Sequence, residues 1–212
     1  MKKLVVIGAG GHATSLVETI ISSGNEILYF VDSFKKNEKL LGYNIEKKIL
    51  KDSKKIDIVI GIGDNNKRQE IYLDLLNTTF QINFPIIIHP SASVSRFSKI
   101  GKGSVILQNA IVGANSNIGN FCILNSNSSI DHDCKMSNFS SLAPSSVTGG
   151  NVKIGLRTAL GINTSILHKT NIGNDVVIGS NSYVNKDITN NVVAYGAPAR
   201  IIRKRKNNSK YL

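Results

Sequence analysis

Residues 105–136, VILQNAIVGANSNIGNFCILNSNSSIDHDCKM, place an aliphatic residue or methionine at every sixth position: Ile106, Val112, Ile118, Leu124, Ile130 and Met136. The step extends back to Ile88 and forward to Val184. It passes 17 positions, of which 16 are aliphatic or Met; only Thr148 departs. Four residues after each, from Ala92 to Ser182, the side chain is small every time. Helices and flat strands repeat at 3.6 and 2 residues. A six-residue step sustained this long marks a parallel β-helix instead. One hexapeptide supplies a short strand and a corner, and three close a triangular coil of about 18 residues. The aliphatic side chain fills the prism, and the small one fits where the chain turns. Coils stack about 4.8 Å apart, the ordinary strand spacing. Each coil buries its neighbour's face, so one alone is not stable. The hexapeptides give a little under six coils, with no insertion and hence no long loop. Periodicity does not set the hand; the left hand is that of the known hexapeptide fold, an exception to the right-handed crossover rule.

The first 84 residues follow another pattern. KLVVI (3–7) reads as a buried strand, and GAGGHA (8–13) turns the chain. Residues 13–23 form a helix with Leu16, Val17, Ile20 and Ile21 on one side. EILYFV (26–31) is a second strand ending at Asp32, and DIVIGI (57–62) a third. Gly63-Asp64-Asn65 then opens a helix to about Asn77. Strands alternating with helices predict a small Rossmann-like parallel α/β sheet. Phe84-Pro85 leads into the β-helix. The expected organisation is an α/β domain at 1–84, a left-handed β-helix at 85–189, and a basic tail at 190–212.

Gly8-x-Gly10-Gly11-x-Ala13 fits the G-x-G-x-x-A dinucleotide pattern. Backbone N–H groups at such a turn and helix N-terminus hold anions. Asp32 is placed to accept a ribose hydroxyl. The domain is only about half a dinucleotide fold, so one nucleotide carrying a sugar fits better than NAD. Gly63-Asp64-Asn65, on the same sheet edge, would complete the crevice.

Composition narrows the classes. The chain has 212 residues and a net charge of +12. Six of its 26 basic residues and none of its 14 acidic ones fall in 190–212, so half the net charge lies there. Such a segment attracts anions such as phosphates. The rest is near balance and lacks a basic, aromatic-laced motif, which argues against nucleic acid. No apolar run reaches membrane-spanning length. The start is too short and glycine-rich for a signal peptide, so the expected place is the cytoplasm. Cys122 and Cys134 both occupy the small slot, two-thirds of a coil apart, so they belong to different faces as buried filler. Neither a disulfide nor a metal site is expected.

The chemistry centres on histidine. His132 sits in Ser-Ile-Asp-His-Asp-Cys (129–134), with a carboxylate on each side. A carboxylate near an imidazole orients it and raises its basicity. Gly150 follows one coil later and should lie beside His132, about 5 Å away. Its N–H is left open as an oxyanion donor. His168 stacks two coils from His132 on the same face. His12 lies in the glycine loop, and His89 beside Pro90 reads as structural. Consecutive strand residues face opposite ways, so Asp133 can help His132 only if a corner turns it inward.

GAGGHA, IDHDC, TGGNVKIG (148–155) and GAPAR (196–200), in this order around an unbroken repeat, resemble the bacterial hexapeptide-repeat acetyltransferases of nucleotide-activated amino sugars or sialic acid. The resemblance implies an acetyl-CoA co-substrate, no permanently bound cofactor, a homotrimer with sites between adjacent β-helices, and a nucleotide-sugar held by the N-terminal domain. It implies His132 as general base, Asp133 as its acidic partner where many relatives carry Glu, and Gly150 as the donor that polarises the thioester carbonyl. Asn125 matches a residue near the acceptor. Gly161, Ile162, Gly179 and Ser180 match the CoA groove, and Ser141 stands where some relatives place a second His. Gly10, Gly11, His12, Asp32, Ser33 and Gly63 match the nucleotide-sugar pocket. The expected activity is direct N-acetylation of an NDP-4-amino-4,6-dideoxy sugar for surface glycan biosynthesis. No cysteine or serine is placed as a clear nucleophile. The alternatives are O-acetylation of sialic acid, a non-catalytic nucleotide-sugar-binding scaffold, and an NAD-binding enzyme.

Overall fold

The structure, a computed structural model, describes residues 1–35, 38–50, 55–206 and 209. From Ile87 to Val184 the chain makes 17 two-residue strands, one every six residues, in three parallel stacks. Partners differ by 18 residues, as in Val105↔Ile123 and Lys135↔Lys153. This is the left-handed parallel β-helix expected from the repeat. Its core is the six-step series: Ile106 to Val184 are buried, and the small series packs beside them. Each buried Ile or Leu contributes about 1.5–3 kcal/mol relative to exposure.

A third register runs through the corners. Three residues after each core position, from Asn109 to Asn181, φ lies between 52° and 61°. This left-handed conformation costs most side chains about 1–2 kcal/mol per residue, and Asn and Asp least. Eight of these 13 corners are Asn or Asp, so the turn chemistry was written in the sequence beside the better-known apolar step.

The N-terminal part is a six-stranded sheet. Its strands are β1 (Lys3–Ile7), β2 (Glu26–Val31), β3 (Lys39–Leu40), β4 (Tyr43–Glu46), β5 (Lys55–Ile60) and β6 (Gln81–Asn83), in the order β3-β4-β2-β1-β5-β6. All neighbours are parallel except the β3–β4 hairpin. Helix α1 (Gly11–Ser22) follows β1, and α2 (Asn65–Leu76) follows β5. The sequence pattern found β1, β2, β5 and both helices, and missed the short β3, β4 and β6. β5 begins and ends two residues before the predicted span. Ile21 is 44% exposed, because α1 turns Ala13, Leu16, Val17 and Ile20 inward instead.

The helices join the sheet to the β-helix by opposite means. The apolar face of α1 packs on Ile87, Val105, Leu107 and Ile123, on the outside of one prism face. α2 buries polar groups. Arg68 is 1% exposed and donates to the carbonyls of Ile62, Gly63, Phe121 and Phe139, and to Asn65 Oδ1. Asn65 Nδ2 donates to the Arg157 and Thr158 carbonyls. The corners it meets, Phe121, Phe139 and Arg157, belong to one column that continues to Asp175, which pairs with Arg157. Two phenylalanines in the left-handed region are unusual. Their rings stack at 5.2 Å and 4°, and both pack against Tyr72 of α2.

Residues expected as a basic tail extend the fold. Val192–Gly196 joins the first stack in parallel, and Ala199–Lys204 pairs back antiparallel. Arg205 is buried and donates to the Asp175 carbonyl, tying the hairpin to the same column. Cys122 and Cys134 are buried free thiols that precede strands of different stacks. No helix among the described residues is long and apolar enough to cross a membrane.

Candidate active site

Two clefts lie on adjacent edges of the prism. The first, of about 390 Å³, opens where α1 ends its cover of the β-helix face. The outward series Ile87, Val105 and Ile123 lies under α1. Its continuation, Ser141, Ala159 and Val177, is the cleft floor. His12 and Ser15 at the N-terminal end of α1 form one rim, with Gly63 beside them. The far rim is the next corner column: Asn125, Ala143, Gly161, Ile162, Gly179 and Ser180. Thus residues expected separately for CoA (Ser141, Gly161, Ile162, Gly179, Ser180) and for the acceptor (His12, Gly63, Asn125) line one space. A donor and an acceptor could meet there. Asn125 is already engaged, its Nδ2 donating to the Leu142 carbonyl at 2.7 Å.

The loop beside this cleft is built for close backbone approach. Gly8 sits at φ +96°, a backbone conformation that L side chains rarely adopt, and a Cβ there would also crowd the Ile62 side chain. Gly10 and Gly11 face open space, where a side chain would meet nothing of this chain. The α1 N-terminus carries no side-chain cap, which leaves its N–H groups for an anion. Asp32 is less free than expected. One oxygen accepts from the Ala9 N–H at 3.0 Å; the other accepts from Phe34 and Lys35 N–H. Its first role is to shape the glycine loop, with only the remaining lone pairs left for a ribose. Ser33 next to it is exposed. Asp64 caps α2 by accepting from Lys67 N–H, and Asn65 turns to the β-helix, so of that trio only Gly63 reaches the cleft.

His12 Nε2 is buried without a hydrogen-bond partner. Burial, and secondarily the Arg68 charge, lower its pKa to about 3. The ring therefore meets any ligand uncharged. Below the ordinary 6.5 the unfolded chain takes up a proton that the folded chain refuses until about pH 3. Acid thus destabilises the fold through this residue.

The second cleft is lined by Asp131, His132, Gly149, Gly150, His168 and Lys169. His132, Gly150 and His168 follow one another coil by coil, as the 18-residue spacing requires. Asp133 occupies a left-handed corner, at φ 59°, and this turns its carboxylate onto the imidazole: Oδ2 lies 2.7 Å from His132 Nδ1. The Asn115 amide donates to the other oxygen. Asp131 Oδ1 accepts the His132 N–H at 2.7 Å. The Asp133 hydrogen bond first, then the Asp131 charge, raise the His132 pKa above 6.5. With Nδ1 held, Nε2 is the free basic atom. It faces Gly150, where a Cβ would stand 2.5 Å from both Nε2 and Cε1. The Gly150 N–H has no acceptor among the described residues, while its carbonyl takes the Lys169 N–H. The group is thus a carboxylate-oriented imidazole beside an unused N–H donor, suited to deprotonating a nucleophile next to a developing oxyanion. Among the described residues, no cluster of His, Cys, Asp and Glu could hold a metal.

A left-handed β-helix with such a pair, and an apolar cleft one edge away, defines a hexapeptide-repeat acyltransferase. Comparisons agree. The PglD N-terminal domain family matches residues 3–75. The acetyltransferase domain of PglB from Neisseria gonorrhoeae, solved with acetyl coenzyme A, is 30% identical with a TM-score of 0.86, covering 94% of this chain and 98% of that one. A mutant of perosamine N-acetyltransferase from Caulobacter crescentus, solved with CoA and GDP-perosamine, is 28% identical with a TM-score of 0.87, covering 95% and 97%. WeeI from Acinetobacter baumannii AYE, 21% identical with a TM-score of 0.83 over 95% of this chain and 100% of that one, shares the fold. No curated protein matches significantly. The chain belongs to the bacterial hexapeptide-repeat sugar acetyltransferases and is an acetyl-CoA-dependent enzyme.

Proposed function

We propose that the enzyme N-acetylates the amino group of a nucleotide-activated 4-amino-4,6-dideoxy sugar, in the cytoplasm, for surface glycan biosynthesis. The observation that carries this is His132, held through Nδ1 by Asp133 with Nε2 against Gly150. In the reaction the sugar amine attacks the acetyl carbonyl of acetyl-CoA. The C–N bond forms, and His132 Nε2 takes the amine proton. The oxyanion rests on the Gly150 N–H, a contact whose loss costs roughly 3–4 kcal/mol in related chemistry. The C–S bond then breaks, and the proton leaves with the CoA thiol. The glycine loop and α1 N-terminus receive the nucleotide phosphates. The relatives solved with CoA, GDP-perosamine or acetyl coenzyme A support both substrates.

His132 and the first cleft lie on different edges of one prism, so a single chain does not bring base and cleft together. A homotrimer, with each His132 edge set against a neighbour's cleft, joins them. We therefore assign the working enzyme as a trimer. The test is thiol release from acetyl-CoA with UDP-, GDP- and dTDP-4-amino sugars and free sialic acid, with products weighed by mass spectrometry. An N-acetylated nucleotide-sugar is expected. Acetylation of sialic acid alone would replace this assignment with O-acetylation. His132→Ala should lower kcat by about 10²–10⁴. Turnover near wild type would remove the base.

A further inference from the structure

Thr148 is the one polar residue in the inward register, and its strand leads directly into Gly149 and Gly150. It is 6% exposed, in a series of inward positions otherwise occupied by aliphatic side chains and Met136. Burying a hydroxyl there costs free energy unless it makes a hydrogen bond. The ladder changes at the same place. One coil earlier Gly113 N–H donates to the Ile130 carbonyl at 2.7 Å, and one coil later Gly149 N–H donates to the Ile166 carbonyl at 2.9 Å. The equivalent donor between them is Asp131 N–H, and its acceptor is the Thr148 hydroxyl, at 3.3 Å. Only Ser129 and Val147 pair between these two strands, whereas the flanking pairs keep both rungs. Cys134 Sγ lies 3.7 Å from the same hydroxyl and 3.3 Å from the Gly149 carbonyl, and accepts from Val152 N–H. The Thr148 hydroxyl and the Cys134 thiol thus sit behind the corners that carry His132 and Gly150.

We propose that Thr148 is a positioning residue for His132. Its hydroxyl holds Asp131 off the regular rung, and the Asp131 carboxylate in turn accepts the His132 N–H. Valine has nearly the same shape without the acceptor. In Thr148→Val the Asp131 N–H is left with the carbonyl of residue 148, the corner settles onto the regular rung, and the imidazole shifts against Gly150. The inference rests on His132 being the base.

The experiment compares wild type, Thr148→Val, Thr148→Ser and His132→Ala, by steady-state kinetics with acetyl-CoA and the same panel of acceptors, and by thermal unfolding. Thr148→Val should lose roughly 10- to 100-fold in kcat, since small misplacements of reacting groups cost that much. KM for acetyl-CoA and acceptor should stay within about twofold, as expected when ground-state binding is untouched. Its unfolding temperature should equal or exceed wild type, because an apolar side chain suits the prism. Thr148→Ser keeps the hydroxyl and should restore most of the turnover. Wild-type kcat in Thr148→Val, or equal loss in both variants with a lowered unfolding temperature, would overturn the proposal. If His132→Ala is inactive while Thr148→Val is not, positioning fails and the base stands. If His132→Ala keeps wild-type turnover, the assignment of the base itself has failed.

Discussion

Gly150 matters through what it lacks. Any side chain there enters the volume of the His132 ring, 2.5 Å from Nε2. Gly150→Ala should therefore lower kcat roughly 10- to 100-fold by displacing the imidazole, with circular dichroism unchanged. The 18-residue spacing alone puts these two residues side by side. It could not say where Asp133 points, because strand alternation turns it away; the left-handed corner reverses that. Asp133→Asn gives the sign of the coupling. The carboxylate raises the His132 pKa, and the proposed base acts only when neutral. Activity in wild type should then fall on acidification through a value above 6.5. Removing the negative charge moves that acid limb to lower pH, while loss of ring orientation lowers the plateau. A profile of kcat/KM against pH checks both. An acid limb unmoved in Asp133→Asn would separate Asp133 from the base.

α2 shows how an element can be legible while its packing is not. Asp64 and the following dozen residues announce a helix, yet its buried side includes Asn65, Asn66 and Arg68. An amphipathic reading sends such residues to solvent. Asn65 and Arg68 go inward because corner carbonyls of the β-helix need donors where α2 crosses them, and a guanidinium supplies several in one plane. Arg68→Ala should lower unfolding stability by about 3 kcal/mol, since charged hydrogen bonds to buried carbonyls are lost together. Arg68→Lys should not recover it, because one ammonium cannot span the same carbonyls. Urea unfolding measures both; a loss near zero would show that the Tyr72–Phe121–Phe139 rings and Asn65 hold α2 without Arg68. The C-terminal segment is a similar case. Its charge reads as a basic tail, but Ala194 and Ala199 are buried in the β-helix core and hold a hairpin.

For the whole molecule, the two clefts on different edges set the main demand. In the proposed trimer each active site takes His132 from one chain and the floor of the first cleft from another. Chains carrying His132→Ala and chains carrying Ala143→Trp, which fills the cleft, should each be nearly inactive alone. Co-expressed and purified as a mixture, they should recover activity at the sites that pair two intact edges. Recovery absent from a mixed assembly of correct mass would place base and cleft within one chain.

The sequence by itself determined the β-helix, its register, the neighbours His132 and Gly150, the α/β order of the first domain and the glycine loop. These follow from local periods, and a hexapeptide step converts residue number directly into position along the prism. Only the tertiary structure decided that α1 stops short of the later coils and so opens a cleft. It alone showed that Asp32 spends its carboxylate on the loop, that Arg68 is interior, and that Thr148 replaces a ladder bond. Those outcomes depend on where two separately patterned units press together, and on which buried carbonyls and N–H groups are then left to be satisfied. No period in the chain records that.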